Sequence, residues 1–194
     1  MIYPSDLVNR ALTGLGHEIT VGDLQEGTAE ARVALLHYTD TLDWLLIQKD
    51  WDFARQAATL GAPVKTAPPG GYGGSPWNPM TCPPIPWIFE YAYPANCLWV
   101  RSVRPVPILI PSFTPYFNNF VNAFDAQLNQ KVVLTNLANA QVVFTAQVAD
   151  PNEWQNNLFL EEFVKQLALR LKMAFEKEPP PQKGQPQQPD GNPR

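Results

Sequence analysis

A chain of 194 residues with 45% hydrophobic and 16% charged residues is long enough to bury a real core and has an ordinary globular composition. Lys+Arg 14 against Asp+Glu 18 gives a net charge of -4, so the chain as a whole lacks the positive field that drives nucleic-acid binding. Its 21 prolines, roughly twice the usual ~5% share, require long irregular segments.

The N-terminus shows no basic stretch followed by an apolar one, and no run approaches the ~20 apolar residues of a membrane span. A soluble, unexported protein without membrane contact is expected. Pro4 and Ser5 open a short helix that places Leu7, Val8, Ala11, Leu12 and Leu15 on one face, with Gly14 and Gly16 available for its left-handed C-terminal turn. After a turn through Gly22-Asp23 and Gly27, Thr28 is placed to cap a longer helix running to Lys49. Along it Ala31, Leu35, Tyr38, Leu42 and Leu45 recur at four- and three-residue steps, the spacing of a packing seam. Val33, Leu36, Trp44 and Leu46 widen that apolar surface, which predicts a helix with two packing neighbours. Trp51-Asp52-Phe53-Ala54 closes the run, with Trp51 and Phe53 as aromatic anchors.

From Gln56 to Pro115 the pattern breaks into loops at the Ala67 to Gly74 and Pro83-Pro84-Ile85-Pro86 clusters, where fixed φ and missing donors forbid regular helix. Trp87 to Tyr93 and Leu98 to Val103 are rich in aromatic and β-branched residues and read as strands about a Pro94-Ala95-Asn96-Cys97 turn. Phe124 to Leu128, Val132 to Thr135 and Val142 to Val148 extend the β region, the last two as a hairpin across Asn136 to Asn139. A terminal helix from Asn156 or Asn157 to about Glu176 carries Leu160, Phe163, Val164, Leu167, Ala168, Leu171 and Phe175 on one apolar face. Beyond Lys177, proline, glutamine and glycine dominate, a composition that cannot offset its own ordering entropy.

The fold class expected is α+β: a helical bundle of N-terminal helices and a long C-terminal helix, with an inserted antiparallel β-rich subdomain and a disordered Pro/Gln-rich tail. The corresponding boundaries are 1–55 for the N-terminal helices, 56–150 for the insertion, 151–176 for the closing helix and 177–194 for the tail. The middle is too irregular for a sandwich assignment. Leu35, Tyr38, Leu42, Trp51, Phe53, Phe163, Leu167 and Leu171 are the residues expected to pack the bundle or a ring of subunits.

No pattern points to catalysis, a cofactor or a metal. Glu161 and Glu162 are adjacent on the terminal helix, point in different directions, and suit the helix dipole better than the fixed separation that glycoside hydrolysis needs. Asp150 and Glu153 flank Pro151 as a turn would. His17 and His37 both lie on or next to the N-terminal helices, where no local motif completes a nucleophilic arrangement with Ser or Cys and an acid, and a zinc site needs about four close ligands. Gly70-Gly71-Tyr72-Gly73-Gly74 lacks the Lys-Ser/Thr ending of a phosphate loop. Cys82 and Cys97 could pair in principle, although two idle thiols fit a chain without a signal peptide better. Trp77, Trp87 and Trp99 with their tyrosines suit a core or interface.

Leu12-Thr13-Gly14-Leu15-Gly16 with Ile19-Thr20 and Leu24, Ala31-Arg32, Tyr38, Leu45-Leu46 and Trp51-Asp52-Phe53-Ala54 resembles the start of the phage head-to-tail adaptor proteins, the group that includes tail tubular protein A of short-tailed phages. Tyr93-Pro94-Ala95-Asn96-Cys97-Leu98-Trp99-Val100 is similar to that family's Tyr-x-x-Pro-x-Asp-Cys-Leu stretch, with Asn96 where an acid is commoner and one residue fewer in the spacing. Asp150 to Trp154 and the terminal helix complete the order, so that the likeness spans residues 2 to 175.

The resemblance implies a non-enzymatic virion protein assembled in the host cytoplasm. Its copies would form a homo-oligomeric ring, typically dodecameric, between the portal protein and a tail or nozzle protein, with DNA passing through the lumen. The tail, with Phe175, Lys177, Lys183 and Arg194, would help dock the portal. Two readings from other classes stand beside it: a virion-carried cell-wall hydrolase using Glu153 or Glu162 as acid, and an adaptor that binds proline-recognising modules through Pro179-Pro180-Pro181 and Pro186 to Pro189.

Overall fold

The computed structural model describes residues 1–16, 18, 20–73, 77–106 and 119–175. It holds three α-helices, α1 (Pro4–Gly14), α2 (Ala29–Gln48) and α3 (Asn157–Phe175), and seven strands between the last two: β1 (Arg55–Thr59), β2 (Lys65–Thr66), β3 (Phe89–Ala92), β4 (Cys97–Pro105), β5 (Phe120–Asp125), β6 (Gln130–Thr135) and β7 (Ala140–Ala146). The class is α+β, as the sequence predicts. The chain divides into two compact units, one of Met1–Thr41 with the segment from Asn157 onward, the other of Leu42–Asn156. The expected tail at 177–194, with Lys177, Lys183 and Arg194, lies outside the described residues, as do His17, Ile19 and Gly74.

The first unit is a helical assembly with an apolar interior. Pro4 supplies the fixed φ suited to a first helical position, and Asp6 accepts from the Tyr3 N–H at 2.9 Å. Leu7, Val8, Ala11 and Leu12 of α1 are buried, and Phe159, Phe163, Leu167 and Leu171 of α3 are fully buried at strict four-residue steps. Tyr38 meets Phe163 edge-on, ring centroids 5.0 Å apart, an arrangement the ring quadrupoles favour. The connection from α1 to α2 is pinned by Asn9, whose amide accepts from Val21 N–H and donates to Val21 C=O, both at 2.9 Å. Gly16 and Gly27 take φ of 77° and 80°, which costs a residue without Cβ little. The Thr28 hydroxyl caps α2 by accepting from Ala31 N–H at 3.1 Å.

The buried face of α2 keeps Ala31, Tyr38, Leu42 and Leu45 of the predicted seam and is wider than it. Ala34 and Thr41 are fully buried beside Ala31 and Tyr38, whereas Leu35 is only half-buried. Thr41 satisfies its hydroxyl within the helix by donating to His37 C=O at 2.6 Å. Outside that face Leu36, on the far side of the helix, stays 60% exposed, and Trp44, at its edge, 39%.

The second unit contains two antiparallel sheets, in strand orders β1-β7-β4 and β2-β3-β6-β5. Tyr91 and Val133 from one sheet and Val100, Val103, Val142 and Phe144 from the other belong to a single buried cluster, so the sheets pack face to face as a small sandwich. This corrects the reading of the middle as too irregular for one. β6 and β7 are not a hairpin, because β6 pairs with β3 and β5 while β7 pairs with β1 and β4. The asparagine-containing turn between them, with Asn139 at φ 51°, carries the chain from one sheet to the other.

The local hairpin is instead β5–β6. Asp125 ends β5 by accepting from the N–H groups of Gln127 and Leu128 at 2.8 and 3.3 Å, an Asx-type turn. The strand therefore stops at Asp125 and does not run on to Leu128. β1 and β2, too, form where only loops are expected, each as an edge strand satisfied by pairing with a distant partner.

A buried charge cluster as the candidate functional site

Strand periodicity puts Glu90 of β3 and Leu134 of β6 opposite each other, and Lys65 of β2 opposite Glu90. Residues two apart share a face, so Val132, Ala123 and Asp125 stand on the same side of this sheet, away from the apolar cluster that Tyr91 and Val133 enter. The loop through Trp77, Pro79, Cys82 and Pro84 covers that side, and together these residues enclose a cavity of about 250 Å³.

Three charged side chains meet there, each at most 8% exposed: Lys65, Glu90 and Asp125. The Lys65 ammonium lies 2.5 Å from Asp125 Oδ2 and 4.0 Å from Glu90 Oε1. It also donates to Pro79 C=O at 2.8 Å and reaches Gln127 Oε1 at 3.4 Å. Lys65 thus neutralises Asp125 and fastens the Pro-rich loop to the sheet with one ammonium, whereas Glu90 is joined to the Asp125 carboxyl only through its own proton.

The two carboxyls titrate in opposite directions. Burial, helped by the hydrogen bond to Asp125, raises Glu90 from 4.5 to about 7 against the pull of Lys65. Burial alone would raise Asp125 also, but the hydrogen bonds from Lys65 and Glu90 and the N–H groups of Gln127 and Leu128 outweigh it and hold that carboxyl well below the usual range. Divergent carboxyls in a lined cavity are the arrangement that marks functional sites more often than chance. Chemically, this one holds a proton on Glu90 up to neutral pH and offers a bare carboxylate oxygen above it.

Sequence reasoning missed this cluster, since its members are far apart in the chain and form no motif. The available signal was a lone Glu in the middle of the aromatic Trp87 to Tyr93 run, where a charge on a buried strand demands a partner.

The residues singled out from sequence fall elsewhere. Leu42 and Trp51 are buried and Phe53 half-buried in the second unit. The Trp51 indole donates to Leu45 C=O at 3.0 Å, with Phe53 6.3 Å away by ring centroid and the Lys49 ammonium 4.7 Å from its ring. These groups tie the Trp51-Asp52-Phe53-Ala54 turn back onto the end of α2. Tyr38, Phe163, Leu167 and Leu171 are buried in the helical unit, and Phe175 is half-buried at the end of α3.

Glu153 is exposed in a 3-10 turn that Asp150 caps by accepting from Asn152 N–H at 2.9 Å. Glu162 accepts from the Gln166 amide at 2.6 Å on α3. Tyr72, inside the glycine cluster, places its hydroxyl 2.8 and 2.7 Å from the carbonyls of Pro83 and Trp87 and so anchors that loop. Cys82 and Cys97 are unpaired thiols; burial pushes Cys97 up to about 12, which makes it a poor nucleophile. Among the described residues no three His, Cys, Asp or Glu side chains gather as metal ligands, and no helix is long and apolar enough to cross a membrane.

No protein-family model matches the chain and no curated protein matches it.

Proposed function

We propose that the protein is a head-to-tail adaptor of a phage virion, a structural subunit that closes into a ring between portal and tail. The observation that carries this reading is the outward face of α2. Its sequence has the apolar residues for two packing neighbours, yet only one side of the helix is buried within the chain, and Leu36 on the other is 60% exposed. Leu169 and Met173 on α3 are 50% and 59% exposed in the same unit. Large apolar side chains left uncovered on helices suit contact with further copies of the subunit.

The division of the chain agrees with this role, with a helical unit made from both ends of the chain available for ring contacts and a β unit inserted between them available for the tail. The mild negative charge suits a lumen through which DNA must slide, since each phosphate contact adds salt-dependent grip. Phe175 ends α3 where the chain continues toward Lys177, Lys183 and Arg194, the segment assigned here to the portal.

The reading is tested by native mass spectrometry of the full chain mixed with assembled portal rings. A closed complex carrying multiple copies is expected, and Leu36→Glu, which puts a charge on an already exposed position, abolishes it while leaving the circular dichroism spectrum unchanged. A chain that stays monomeric beside portal rings overturns the proposal.

A further inference from the structure

We propose that the cavity on the outer face of the β2-β3-β6-β5 sheet is a binding site for a small alkylammonium ion, held between the Glu90 carboxylate and the indole of Trp77. This inference is independent of the adaptor reading.

Three observations carry it. First, charge: one ammonium, Lys65, faces two carboxylates, Glu90 and Asp125, so with Glu90 ionised one negative charge in the cavity has no counter-ion. Lys65 cannot supply it, because its donors go to Asp125, Pro79 C=O and Gln127. Among the described residues the remaining titratable group lining the cavity is the Cys82 thiol, which carries no positive charge in any state.

Second, a valence left open on ionisation: Glu90 is 2% exposed, its hydrogen bond to Asp125 lasts only while it keeps its proton, and its Oε1 has no other hydrogen-bond partner. A buried carboxylate oxygen left bare costs free energy that an entering N–H donor recovers. Third, shape and lining: Trp77 lines the cavity while remaining 47% exposed, so a ligand can reach it past an aromatic face, the surface that attracts cations. Val132, Leu134 and Cys82 make the rest of its wall apolar, which suits the alkyl part. At roughly 30 Å³ per water-sized group, a cavity of about 250 Å³ takes a ligand of about eight non-hydrogen atoms. A divalent metal fits less well, since the adjacent Lys65 ammonium opposes a second charge and only two carboxylates are present.

Isothermal titration of the intact chain with butylammonium chloride, against sodium chloride at equal ionic strength, reads the site directly. Saturable binding is expected at pH 8, falling roughly tenfold at pH 6, where the proton on Glu90 competes with the ligand. Glu90→Gln is expected to lose the pH dependence and at least tenfold in affinity at pH 8. The pH comparison needs no variant, so the test stands even if Glu90→Gln folds poorly. Titration with N-acetyl-lysine methylamide separates two sources of the same chemistry: binding by this compound as well points to a lysine side chain of a partner, and binding by butylammonium alone to a free amine. No saturable binding of either compound at pH 8, or binding of equal strength at pH 6 and pH 8, overturns the proposal.

Discussion

The helical unit and the β unit are held together in different ways. In the helical unit the decisive contacts are apolar and local in pattern: Phe159, Phe163, Leu167 and Leu171 follow one another at four-residue steps and all are fully buried. In the β unit an apolar cluster lies between the sheets, but the long irregular connections are fastened by single polar groups. Lys65 ties the Pro79 carbonyl to the sheet, and the Asn136 side chain accepts from Ile88 N–H at 2.8 Å. Arg101 donates to the carbonyls of Leu46, Ile47 and Lys49 at 3.0, 2.7 and 3.0 Å, satisfying the open end of α2 where a positive charge is favoured. One unit depends on filled volume, the other on a few ion pairs and hydrogen bonds that hold proline-rich chain in place.

If this contrast is right, substitutions should separate the units. Phe163→Ala, which empties a fully buried position packed against Tyr38 and Phe159, is expected to cost about 4 kcal/mol in denaturant unfolding. Hydrogen exchange should show its loss of protection concentrated in α1 and α3. Equal loss in the β strands would break the comparison.

Lys65→Met strands two buried carboxyls and is expected to cost about 3 kcal/mol at neutral pH, with faster proteolysis of the loop around Pro79. Arg101→Ala removes the cap from α2 and is expected to cost about 2 kcal/mol, seen as earlier amide exchange in the last turn of that helix. Undiminished protection there would show that the carbonyls find other donors.

The smallest effect is a change of slope with pH. The fold keeps a proton on Glu90 up to about pH 7 that the unfolded chain gives up near 4.5. The contribution of this group to stability therefore falls as pH rises through that window. Asp125, held below its usual range by Lys65 and the turn N–H groups against burial, acts in the opposite sense, and its contribution is lost only under acid. Melting temperatures of Glu90→Gln between pH 4.5 and 7 should be flatter than those of the parent. Identical slopes would contradict the assignment of a shifted group at position 90.

What the sequence made legible follows the same division. The three helices, the Thr28 cap and the Asp150–Pro151 turn could be read because each is specified by residues within a few positions of one another. Their detailed faces were less so: on α2 the seam residues Ala31, Tyr38, Leu42 and Leu45 are buried, but so are Ala34 and Thr41, which hydrophobicity ranks below the half-buried Leu35. In the β unit, β1 and β2 have no alternating apolar pattern, since Arg55–Thr59 and Lys65–Thr66 become strands through pairing with β7 and β3. The β6–β7 connection reads as a hairpin from its asparagines, and only the pairing with other strands reveals a crossing between sheets. The charge cluster depends wholly on those pairings, so it emerges once β2, β3 and β5 are placed together and not before.

The central claim, that this chain is a ring-forming subunit of a virion neck, is tested most directly by a cryo-electron reconstruction of intact particles. The account predicts the chain as a closed ring between portal and tail, with Leu36 of each copy covered by its neighbour. Particles whose neck lacks the chain, or in which it sits as isolated copies with Leu36 still facing solvent, would contradict it.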